Sequence, residues 1–138
     1  MSDGERRIIP LEQPLFDRVD GEAFFRRVVD AFYEGVMADP LIGPMYPSDD
    51  LDGARDRLSL FLMGFFGGPQ TYTEQRGHPR LRMRHLPFVI GPAERDAWFG
   101  HMTAAVAAET AAGRLSDEDE ALMLGYFAHA STFMINVE

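Results

Sequence analysis

Residues 21–38 carry an apolar stripe that only a helix can gather on one side. Phe24, Phe25, Val28, Val29, Phe32, Tyr33 and Val36 recur at spacings of three and four, which puts them on one face of a 3.6-residue repeat. Asp20 stands where an N-cap is wanted. Asp39-Pro40 ends the segment, because a residue before proline avoids the helical region. The rest of the chain repeats this scheme between Gly and Pro breaks. A second helix is predicted over about 51–66, with Ser48, Asp49 and Asp50 offering caps, a face of Leu51, Ala54, Leu58, Phe61, Leu62 and Phe65, and a stop at Gly67-Gly68-Pro69. A loop is then expected to about Gly77. A third helix covers about 92–111, with Trp98, Met102, Ala105 and Val106 on its face. The last, about 117–136, follows the capping run Ser116-Asp117-Glu118-Asp119 and presents Leu122, Tyr126, Ala130, Phe133 and Met134. Residues 79–86 point two ways. Pro79 suits a first helical position, while Arg80 to His85 alternates like a strand; with no partner strand elsewhere, a short helix is expected. The fold class is all-α, with four long helices and two or three short ones.

Composition narrows the function. The 138 residues are 46% hydrophobic and 25% charged, enough for one domain with a real core. Net charge is −9, and every one of the 13 basic residues is arginine. So acidic a chain does not suit a nucleic-acid backbone. The absence of cysteine removes disulfides, thiolate metal sites and cysteine nucleophiles. The N-terminus lacks an apolar signal core. The longest apolar run, Leu60 to Phe66, is far short of the roughly 20 residues that span a membrane. A cytoplasmic protein without membrane insertion is expected.

Three features could carry chemistry. From Gln75 to Ala93 there is no Asp or Glu, yet Arg76, Arg80, Arg82, Arg84, His78 and His85 fall there. This island suits an anionic group, or is a solvated arginine face paired with acids elsewhere. His85 shares a helical face with Leu81. It is either a metal ligand or a core histidine satisfied by a carbonyl. Tyr33, Tyr46 and the single Trp98 could converge on one small polar ligand, or each could bond a separate carbonyl. No two-histidine helical spacing, nucleophile elbow, P-loop or dinucleotide fingerprint is present.

The stretches Phe32-Tyr33-Glu34, Met45 to Leu51, Phe66 to Tyr72, Gln75 to His85 and Arg95-Asp96-Ala97-Trp98 closely resemble the group II truncated haemoglobins, from about Leu15 to the last helix. The resemblance implies a shortened globin fold, two helix pairs over two around non-covalent haem b (iron protoporphyrin IX). It implies a domain over 15–138 behind an N-terminal extension, 1–14. His85 matches the proximal iron ligand, which leaves the opposite iron position to a diatomic molecule. Tyr33, Tyr46 and Trp98 match the distal hydrogen-bonding cluster. Ala54 occupies the place where many globins carry a distal histidine. Leu58, Phe61 and Leu62 would wall the pocket. Arg57, Tyr72, His78 and Arg84 would meet the haem propionates, and Leu81, Met83 and Phe88 would pack on the proximal side. Implied ligands are dioxygen, carbon monoxide, nitric oxide or peroxide. The implied role is oxygen binding, with nitric oxide dioxygenation or peroxidase-type turnover as the enzymatic alternative. An unidentified reductase and a homo-oligomer are open as partners. Two departures stand out: Asp20-Gly21 replaces the family's frequent Gly-Gly, and His101 is extra to the motif set and is assigned a structural role.

Overall fold

The computed structural model describes residues 13–46, 49–77, 80–85 and 87–137, without the side chains of Leu81 and Arg82. Most of the expected extension 1–14 therefore lies outside the described residues, as do Ser48, His78 and Pro79. The described residues form seven helices, α1 (Leu15–Arg18), α2 (Glu22–Met37), α3 (Leu51–Phe65), α4 (Thr71–Arg76), α5 (Leu81–His85), α6 (Pro92–Ala111) and α7 (Asp117–Phe133), with a 3-10 turn at Gly43–Met45. No strand occurs among them. None of the helices is long and apolar enough to cross a membrane.

The stripe on α2 is the centre of the core. All seven of its apolar residues are buried, and α2 packs against both α3 and α6, while α6 pairs with α7. This is the two-over-two sandwich. The entry to α2 differs from the expected aspartate cap. Gly21 is the N-cap, in a left-handed conformation at φ 59°, and a Cβ there would press on the Phe16 ring at 3.3 Å. Asp20 instead accepts two hydrogen bonds from Arg27, at 2.9 and 3.0 Å. Asp50 likewise makes no side-chain cap on α3; it pairs with Arg57 at 3.2 Å. In both cases a guanidinium within one or two turns competes successfully for the carboxylate. Ser116 does cap α7, accepting the Asp119 N–H at 3.1 Å.

Two further expectations are corrected. The stretch after Pro69 is not a loop throughout. It holds α4, turned into place by Gln70, whose amide donates to the carbonyls of Gly64 and Gly68, and anchored by buried Tyr72 edge-on to Phe61 at 5.5 Å. Six residues are too few to show a period. The last helix ends at Phe133, and its buried row is Met123, Phe127 and Ser131. Leu122 and Phe133 are 51% and 60% exposed. Its apolar residues run almost all the way round, so the pattern does not fix which side faces in.

The α2–α6 contact also buries a charge. Glu109 is 4% exposed and accepts from Arg27 and Arg114, both at 2.9–3.0 Å. Burial alone would push its carboxyl up. The Arg114 and Arg27 guanidiniums outweigh that and hold it below the ordinary glutamate range.

Candidate functional site

One cavity of about 230 Å³ opens between the helix pairs. Helix α2 contributes Tyr33, the turn after it Tyr46, α6 Trp98, α3 Leu58, Phe61 and Leu62, and α5 His85. Seven residues singled out in the sequence thus meet at one place. Five elements, spread from α2 to α6, deliver them.

The polar aromatics form one cluster. Tyr33 and Tyr46 meet edge to face at 5.5 Å. Trp98 sits edge-on to Phe32 at 5.4 Å and to Phe127 at 5.9 Å. Its indole N–H lies beside the Tyr46 hydroxyl, where it slightly favours the ionised phenol. Burial pushes the Tyr46 phenol well above its ordinary range, and the neighbouring Tyr33 adds to this. Tyr33 is also raised by burial, against the pull of Arg57 and Arg55, the latter lying 5.9 Å over its ring. Both phenols are therefore neutral at pH 7 and able to donate.

His85 also lines the cavity, from the end of the five-residue α5. So short a helix does not hold itself in place. Asn136, beyond the end of α7, holds the chain that follows. Its amide donates to the Phe88 carbonyl at 2.9 Å and, more weakly, to the His85 carbonyl at 3.4 Å. The Ile90 N–H donates to its side-chain oxygen at 2.9 Å, and its own N–H donates to the Ile90 carbonyl at 2.8 Å. Asn136 has no sequence signal, because its partners lie about fifty residues away.

Other residues expected at the site lie around it. Ala54 is buried in the α2–α3 core. Arg57 is engaged with Asp50. Tyr72 backs Phe61 from behind. Arg84 is exposed, and Met83 and Phe88 are 60% and 40% exposed. His78 and the Leu81 side chain lie outside the described residues. Lining residues not anticipated include Ile42, Met45, Ile90, Glu94, Arg95 and Ser131. Arg95 ties α6 to α7, donating to the Ser131 hydroxyl and the Ala128 carbonyl, both at 3.1 Å. Its place in the run Arg95 to Trp98 was its only signal.

The donor set limits what the cavity can hold. Among the described residues no three His, Cys, Asp or Glu side chains gather as a metal site. A bare ion thus lacks ligands. One imidazole lining an aromatic and aliphatic cavity together with three neutral donors suits a metal that arrives inside a flat apolar macrocycle.

The comparisons with known proteins agree. The family model for bacterial-like globins matches residues 14–133. A group 2 truncated hemoglobin of Bacillus subtilis (strain 168) is 48% identical over 82 residues, which are 59% of this chain and 61% of that protein; the chain thus spans less than two thirds of that relative. The hemoglobin of Chloroflexus aurantiacus superposes with a TM-score of 0.83 at 49% identity, over 91% of this chain and 100% of that one. The group II truncated hemoglobin of Bacillus anthracis gives 0.80 at 34% identity, over 91% and 92%.

Proposed function

The chain belongs to the bacterial-like globins and, among them, to the group II truncated haemoglobins; from that premise we propose that it holds haem b non-covalently through His85 and binds dioxygen and related diatomic ligands reversibly. The observation that carries the proposal is the convergence of His85 with Tyr33, Tyr46 and Trp98 on one apolar cavity. When bound, the haem supplies an iron position that takes up a diatomic molecule. The chain does the rest. His85 tethers the iron, with the Asn136 clamp fixing the segment that follows it. Leu58, Phe61 and Leu62 keep water from the distal face. Trp98 and the two phenols offer hydrogen-bond donors there, held by the protein before any ligand arrives, so little reorganisation opposes binding. Arg57 and Tyr72, with Arg84 and His78, are proposed to meet the propionates, and Met83 and Phe88 to flank the proximal face.

Two touching phenols that burial keeps protonated also offer hydrogen bonds to a ligand as it is activated, which favours a second reading. In it the bound ligand is turned over, by nitric oxide dioxygenation or peroxide reduction with a reductase partner. Spectra of the purified protein with hemin, dithionite and carbon monoxide test the first reading; a spectrum that does not depart from free hemin overturns it. Turnover of nitric oxide or peroxide no faster than free haem removes the second.

A further inference from the structure

Tyr46 has two sides. Its hydroxyl is buried in the cavity beside Trp98 and Tyr33. The residue as a whole is only half-buried, because it also walls an open groove with Met37, Asp39, Pro40, Gly43 and Pro44. Tyr46 thus borders both spaces.

What holds Tyr46 is a chain of short contacts starting at Asp39. The His101 Nε2 lies 2.7 Å from the Asp39 carboxylate. The other carboxylate oxygen accepts the Leu41 N–H at 2.8 Å. The Asp39 carbonyl accepts the Gly43 N–H at 2.8 Å, and the Gly43 carbonyl accepts the Tyr46 N–H at 3.1 Å. His101 lies one turn beyond Trp98 on α6. The pair therefore joins the two elements whose side chains meet as Trp98 and Tyr46. Room has been made for it: a Cβ on Gly35 of α2 would fall 2.5 Å from the His101 Nδ1.

We propose that Asp39 and His101 form a latch that keeps Tyr46 closed between groove and cavity, and that Tyr46 is the port through which a diatomic ligand enters. The proposal rests on the haem-binding reading above. Asp39 and His101 are positioning residues; neither lines the cavity.

The test compares His101→Ala, His101→Gln and Gly35→Ala with the parent. Carbon monoxide association is followed by flash photolysis of the haem-loaded protein. Amide hydrogen exchange is followed over residues 41–46. In His101→Ala the association rate should rise about fivefold, the size of effect one lost hydrogen bond produces, and the 41–46 amides should exchange faster. His101→Gln, which keeps a donor, should restore both. Gly35→Ala should raise the rate without lowering the melting temperature, since alanine favours the helix while displacing the imidazole. Lost protection at 41–46 with unchanged association makes the pair purely structural and overturns the port. Unchanged protection overturns the latch. Should the chain take up no haem, the function above fails, while the exchange measurement still decides whether the pair holds the turn.

Discussion

Two walls of the cavity, one carried by α2 and α6 and the other by α5 and the segment after it, are stabilised by different means. Tyr33 and Trp98 project from α2 and α6, helices of 16 and 20 residues whose faces are buried, and Tyr46 is tied to both. The other wall is the five-residue α5, on which Met83 is exposed, followed by a segment in which Phe88 and Val89 are exposed. Asn136 fastens it through four hydrogen bonds. Tyr33 and Trp98 are thus set by the hydrophobic core itself. His85 sits on a strap on which Met83, Phe88 and Val89 are exposed and Ile90 is buried.

The sharpest way to break this contrast is His85→Ala. Hemin affinity should fall by more than about 100-fold, beyond what loss of a merely supporting partner costs, while urea unfolding of the haem-free chain hardly moves. An affinity within a few-fold of the parent would place the tether elsewhere. On the distal side, Trp98→Phe keeps most of the ring and removes one N–H. Oxygen release should quicken about tenfold by stopped-flow, as for one hydrogen bond lost; an unchanged rate would assign the ligand's partner to the tyrosines alone. Met83→Ser probes the strap. Hemin affinity should drop about fourfold, the worth of one buried methylene, with stability unchanged within about 0.5 kcal/mol.

Acid should separate the walls as well. The His101 hydrogen bond, with the Leu41 N–H, holds Asp39 below the ordinary aspartate range, and Glu109 is lowered by its two arginines. A carboxyl depressed in the folded state stabilises above its unfolded value, about 4, and that contribution is lost as pH falls through and below it. Urea midpoints should therefore decline below about pH 4, and Asp39→Asn should flatten the decline. Amides at 41–46 should lose protection before those around Ile90, whose Asn136 clamp carries no titrating group. The reverse order would count against a distal frame held by carboxylates.

The long helices were legible because each carries enough turns for a period to emerge. Helix α4 was not, since six residues between Pro69 and Gly77 show none. The cap at Asp20 misled because a nearby arginine outcompetes a backbone N–H for the carboxylate. Glu109 continues the spacing of Met102, Ala105 and Val106, so its burial was readable, but only with Arg27 and Arg114 brought alongside does a charge fit there. Chemistry by itself left His85, Tyr33, Tyr46 and Trp98 ambiguous one at a time. Their family resemblance named them as a set, and the fold supplies the reason, a shared cavity. Asn136 was invisible because its meaning exists only across the chain.

Each cation recorded in an arginine–carboxylate pair, from Arg18 with Asp119 to Arg114 with Glu109, is a guanidinium, and the chain has no lysine to take its place. Guanidinium does not surrender its proton at any pH where a protein survives. Alkaline solution therefore leaves these bridges standing, and amine-directed acylating reagents find no side chain to neutralise.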